Sequence, residues 1–188
     1  MPTLLFAVLL FLVPDTALAM PREGRKLLLG LIFVTTYLIP GASTYLLYRS
    51  GAIGSITLEN RAERKLPLLF TTFFYALTAW LFYRELRFDD LPFQVMLLMS
   101  VALLLTFLIS FYWKISAHSV GIGGVIGMLM VLNTQFEGNV LLYPIVGLIV
   151  VGGFVISARL ALQAHTLAET AAGFLMGFAT GLCLSLML

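Results

Sequence analysis

Two histidines and the charged residues spaced around them carry whatever chemistry this sequence holds. His165 and Glu169 are four residues apart. That is one helical turn, the spacing at which a carboxylate orients an imidazole and fixes which ring nitrogen keeps the proton. Arg159 lies six residues before His165 and brings a planar, forked donor suited to a phosphate oxygen. Lys114 and His118 repeat the four-residue interval, so a helix stacks them on one face. Gly121-Ile122-Gly123-Gly124 follows at once and permits close approach of a neighbouring helix or a headgroup. A third segment runs Glu59-Asn60-Arg61-Ala62-Glu63-Arg64-Lys65-Leu66-Pro67. If it is helical, Arg61 and Lys65 share a face, as do Glu59 and Glu63. Alone, the same segment also reads as solvated juxtamembrane charge or as a basic run drawn to anionic lipid. Neither HxxxH nor HExxH spacing occurs, and the single cysteine, Cys183, sits in an apolar run. No metal and no cofactor is therefore expected.

These groups must be positioned by a membrane-embedded scaffold. Of the 188 residues, 61% are hydrophobic and only 11% charged, with a mean hydropathy of +1.03. That leaves too little polar surface for a water-soluble domain. The net charge of +2 is too small and dispersed for nucleic-acid binding. Crossing a bilayer takes roughly 20 apolar residues as a helix. Candidate spans fall near 3–20, 27–48, 67–84, 91–113, 117–134, 139–158 and 166–187. The expectation is an all-α, polytopic transmembrane bundle of about six or seven spans in a single domain, 1–188. The first span is followed by Pro14 and Asp15, and Ala17-Leu18-Ala19 resembles a signal-peptidase site. No Lys or Arg precedes its apolar run, so a retained helix is expected.

The spans sort the ionisable residues by side. Arg49, Glu59, Arg61, Glu63, Arg64, Lys65, Lys114, His118, Arg159, His165 and Glu169 share one face; Arg22, Glu23, Arg25, Lys26, Arg84, Glu85, Arg87, Asp89, Asp90 and Glu137 share the other. Two spans separate the first basic cluster from His118, and two more separate His118 from His165. An even number each time returns the chain to one surface. A charge cluster beside a bilayer costs a few kcal/mol per residue unless paired or hydrated, which points to a site. Snorkelling anchors account for Arg49 and Arg84, less well for two histidines. With the cluster set aside, Arg22, Arg25, Lys26, Arg84 and Arg87 outnumber Arg49. The positive-inside rule then turns the histidine face outward, to the periplasmic or extracellular side of the cell membrane.

The pattern Arg159, five residues, His165, three residues, Glu169 resembles the third signature of the type 2 phosphatidic acid phosphatase superfamily, which reads Ser-Arg, five residues, His, three residues, Asp. Ser116-Ala117-His118 is similar to its second signature, Pro-Ser-Gly-His, and Glu63-Arg64-Lys65-Leu66-Pro67, more loosely, to its first. The likeness is greatest to the short bacterial membrane branch; the signature-bearing part is about 49–170. It implies a lipid phosphate or pyrophosphate hydrolase in which His165 attacks phosphorus to form a phosphohistidine. Glu169 would orient His165, and His118 would protonate the leaving oxygen. Arg159 would stabilise the equatorial oxygens with Arg64, Lys65, Lys114 or Arg61, and no metal is implied. The chain departs from the signatures at Glu169, Ala158, Ile115, Ala117 and Leu66. A lipid phosphotransferase would use the same residues, and a non-catalytic headgroup-binding or structural member is the third reading. Substrate identity and oligomeric state are not encoded in the motifs.

Overall fold

The computed structural model describes residues 1–12, 21–58, 60–85 and 90–188. Among these residues the secondary structure is helical, without strands. Helix α1 is Pro2–Leu12, α2 Arg22–Phe33, α3 Ile39–Arg49, α4 Lys65–Glu85, α5 Leu91–Ile109, α6 Ala117–Gln135, α7 Leu142–Ala161 and α8 Leu167–Leu182. A π-helical stretch, Val34–Leu38, joins α2 to α3, so Glu23–Arg49 is one continuous span. Pro40, near the start of α3, has no N–H to continue the ordinary ladder. Just before it the Ile39 N–H reaches five residues back, to the Val34 carbonyl, the wide-turn adjustment by which a helix accommodates a nearby proline.

Among the described residues, six helical segments are long and apolar enough to cross a membrane: Glu23–Arg49, Arg61–Arg84, Leu91–Ile109, Ala117–Gln135, Leu142–Ala161 and Leu167–Leu186. The protein is thus a multi-pass membrane protein built as a helical bundle. Apolar side chains that would be a liability in water face outward along it, among them Leu27, Phe73, Phe154 and Leu175. Tyr112 and Trp113 lie exposed at one end of the spans, Trp80, Tyr83 and Tyr143 at the other, where amphipathic rings meet the headgroup layer.

Of the first expected span, near 3–20, the structure describes the 11-residue helix Pro2–Leu12, about 17 Å of axis; its remainder, with Pro14, Asp15 and Ala17-Leu18-Ala19, lies outside the described residues. Helix α1 belongs to the core: Leu5, Phe6, Leu9 and Leu10 are at most 3% exposed, and the Phe6 ring meets that of Phe82 edge-on at 6.1 Å. Arg25 is buried beside it and donates from Nη1 to the Leu10 carbonyl at 3.0 Å. A cation at the C-terminal end of a helix satisfies carbonyls that the helix itself leaves unpaired.

Helix α6 is the axis of the bundle, with buried residues on every side of it, and its tightest partner is α8. A Cβ on Gly177 of α8 would run into the Val120 carbonyl of α6, and one on Gly181 into the Gly124 carbonyl. From the other side, a Cβ on Gly123 would strike the Phe174 carbonyl, and one on Gly127 would lie 2.6 Å from that of Phe178. The two backbones touch because no side chain intervenes, which is how small residues let membrane helices approach. The Gly173-xxx-Gly177 pattern is therefore used within the chain.

Gly147 of α7 is under no such constraint: a Cβ there meets nothing within 4 Å. Gly177→Ala should therefore destabilise the bundle by about 1–3 kcal/mol through overpacking, read as a lower midpoint in thermal or denaturant unfolding in detergent. Gly147→Ala should leave the midpoint unchanged or raise it slightly. Equal effects from the two substitutions would contradict the backbone contact.

Candidate functional site

The N-terminal ends of α4, α6 and α8 and the C-terminal ends of α3 and α7 meet at one face of the bundle. Local sequence brings the charged residues there. Helix α7 ends where Gln163 takes a left-handed φ of 50°, and the Ala164 N–H bonds the Arg159 carbonyl at 3.1 Å, a tight helix stop. His165 follows immediately, and α8 restarts with a capping box. Thr166 Oγ1 accepts from the Glu169 N–H at 3.3 Å, and Glu169 Oε2 accepts from the Thr166 N–H at 3.1 Å. Helix α6 is capped by Ser116, whose side chain accepts from the Ser119 N–H at 3.4 Å. The Ser116 N–H in turn donates to the Glu169 carbonyl at 3.3 Å, which ties the two helix starts together.

His165 is 6% exposed, and both of its ring nitrogens are engaged. Nδ1 faces two acceptors, Glu169 Oε2 at 3.0 Å and the Lys114 carbonyl at 3.1 Å. With oxygens on both sides, Nδ1 carries the proton. Nε2 is left with its lone pair and accepts from Arg64 Nη1 at 3.3 Å. Arg64 is itself buried and is held from behind, its Nε donating to the Leu58 carbonyl at 2.7 Å. The result is a neutral imidazole with a nucleophilic nitrogen turned toward a cation.

A cavity of about 190 Å³ opens in front of this pair; Arg64, Lys114, His118, Arg159 and His165 all line it. At ~30 Å³ per water it holds the equivalent of about six waters, enough for a phosphate group. Among the described residues that line it, three are cations and none is a carboxylate. Arg159 Nε is buried with no hydrogen-bond partner among the described residues, a donor left for an anion. His118 is exposed on the cavity wall and has no protein hydrogen bond among the described residues. Among those residues no three His, Cys, Asp or Glu side chains converge as metal ligands.

The other expected contributors are placed as follows. Glu169 is buried behind His165, outside the cavity lining. Arg61 is exposed and donates to the Tyr112 carbonyl, fastening the turn Arg61–Arg64 to the loop between α5 and α6. The Lys65 ammonium sits 4.7 Å from the centre of the Phe111 ring. The structure thus brings Arg64, Lys114 and Arg159 together at the cavity and turns Arg61 and Lys65 to other partners. Glu59 lies outside the described residues. Leu58 is the contributor that sequence reasoning missed. Its φ of 52° is strained for a bulky residue and aims its carbonyl at Arg64, while the residue also lines the cavity. Nothing in a Thr-Leu-Glu sequence announces that conformation.

No family model, curated protein or solved structure matches this chain.

Burial depresses the His165 pKa below the usual 6.5, with Arg64 and Arg159 pushing the same way and Glu169 opposing them. Because the folded value is the lower one, His165 contributes its full stability above pH 6.5, and the contribution is lost as pH falls through the folded value. In Glu169→Gln the capping box can persist, since glutamine serves at that position, but the opposing charge is gone. The His165 imidazole signal in NMR should therefore titrate below 6.5 in the wild type and lower still in Glu169→Gln. A shift upward in the variant would refute this account of the site.

Proposed function

We propose that this chain is an integral-membrane phosphatase that hydrolyses a lipid phosphate or pyrophosphate headgroup through a phosphohistidine on His165. One observation carries the reading: the Nε2 lone pair of His165, its proton held on Nδ1, faces a cation-lined cavity that it shares with His118. The likeness of Arg159-x5-His165-x3-Glu169 to the third signature of the type 2 phosphatidic acid phosphatases supports the same reading.

In the proposed reaction the phosphate displaces Arg64 from Nε2 and takes donors from Arg64, Lys114 and Arg159. Nε2 attacks phosphorus and forms the N–P bond as the P–O bond to the lipid breaks. Positive charge on the ring is met by Glu169 through the Nδ1–H. His118, protonated, gives its proton to the leaving oxygen. Neutral His118 then takes a proton from water, whose oxygen attacks phosphorus, and the N–P bond breaks to release phosphate and restore both histidines. The fixed cations stabilise charge spread over the equatorial oxygens. Glu169, where the signature has aspartate, fits because the longer side chain reaches both the His165 ring and the Thr166 N–H.

In the proposed orientation the cavity faces outward across the cell membrane. Arg25 adds little to the sidedness argument, being buried, but Arg22, Lys26, Arg84 and Arg87 in the sequence favour the inner side for the opposite face.

His165→Ala should reduce phosphate release from a purified, reconstituted preparation to background, with no acid-labile phosphoenzyme. His118→Ala should lose roughly 10²- to 10⁴-fold on alkyl phosphates. Its loss should be much smaller on a nitrophenyl ester, whose leaving group needs no proton. Arg159→Ala should cost roughly a hundredfold, whereas Lys65→Ala, whose ammonium is turned to the Phe111 ring and does not line the cavity, should cost little. Wild-type turnover by His165→Ala would end the proposal.

A further inference from the structure

A second, larger cavity of about 330 Å³ lies directly below the first, inside the bundle. Leu68, Thr71, Ala117 and His118 line both, so the two spaces meet at the proposed acid. The deeper one is mainly apolar, with Met1, Tyr75 and His118 as the lining residues, besides two threonines, that carry polar groups. Its two threonines turn their hydroxyls back on their own helices, Thr71 to the Pro67 carbonyl at 2.7 Å and Thr180 to the Met176 carbonyl at 2.8 Å. They offer a ligand methyl groups rather than donors. Gly121 and Gly124 of α6 and Gly177 and Gly181 of α8 also line the chamber, so backbone thinning leaves room beside the contact between these helices.

By their places along α4, α5 and α6, Tyr75, Met99 and Met128 form its far end. Met128 is ten residues beyond His118 in α6, or about 15 Å along the axis. That depth is half of the hydrocarbon core. A cation-lined pocket meeting a mainly apolar chamber below it matches an anion carried on a hydrocarbon chain.

We propose that this chamber receives one hydrocarbon chain of the lipid phosphate and that Tyr75, Met99 and Met128 set the longest chain accepted. The inference rests on the phosphatase reading of the adjoining cavity. A chain already in the bilayer has left water, so entering the chamber brings no large hydrophobic gain. Selection then comes from fit. Chains that end before the floor are accepted alike, and a methylene beyond it is rejected roughly tenfold, as tight apolar pockets do.

The test is competition among n-alkyl phosphates, from butyl to octadecyl, on the full chain in vesicles of neutral lipid. Relative kcat/KM should hold level and then break at one chain length. Met128→Ala should move the break to longer chains, and Ala102→Leu, which narrows the chamber wall, to shorter ones. Butyl phosphate turnover is the internal reference against which each variant's profile is scaled. A profile with no break, or a break that neither variant moves, overturns the proposal.

A long-chain alkyl phosphate bearing a diazirine at its far end gives a readout that needs no turnover, and it is applied to the wild type and to His165→Ala. Crosslinks at Met99, Met128 or Tyr75 support the chamber even if no phosphate is released, an outcome that would sink only the phosphatase reading. Hydrolysis with crosslinks confined to lipid-facing side chains would sink only the chamber.

Discussion

The contact on which the rest of the molecule depends is backbone against backbone. Helices α6 and α8 approach until carbonyls of each rest where the other has glycine. Both helices begin at the same face, and the closeness of their axes is what sets His118, the second residue of α6, near His165, just ahead of α8. The bond from the Ser116 N–H to the Glu169 carbonyl is available only at that separation. In a bilayer, where hydrophobic transfer does not drive helices together, this packing has to come from shape and dispersion. Glycine provides it at the cost of helix propensity, a penalty of order 1 kcal/mol per residue in water.

Around that contact, single atoms serve two purposes. Glu169 Oε2 accepts from both the His165 ring and the Thr166 N–H, so one oxygen fixes the imidazole and starts the helix. The Lys114 carbonyl binds Nδ1 while its side chain belongs to the cavity lining. Arg64 closes the arrangement from the opposite side, between the Leu58 carbonyl and Nε2. The imidazole is thus held by α8, by the loop between α5 and α6, and by the start of α4. Each of those segments is anchored to a different span, so the ring reports the packing of the whole upper half of the bundle.

Much of this was legible in the sequence. Hydropathy located the six spans to within a few residues because a bilayer imposes one length on all of them. The i, i+4 spacing of His165 and Glu169 translated directly into a hydrogen bond. What could not be read was direction. Arg61, Arg64 and Lys65 are near neighbours of the same type, yet only Arg64 turns inward. The turn Arg61–Arg64 is a tight 3₁₀ helix, which redirects side chains relative to the α-helical spacing assumed. The positive φ of Leu58 has no compositional signature.

The seating of α1 carries a consequence for biogenesis. Its face with Leu5, Phe6, Leu9 and Leu10 is buried, and the groups that meet it, the Phe82 ring and the Arg25 guanidinium, belong to helices made later in synthesis. The earliest helix of the chain therefore reaches its final contacts only after α2 and α4 exist, so its docking is a late step of assembly and not the nucleus of it.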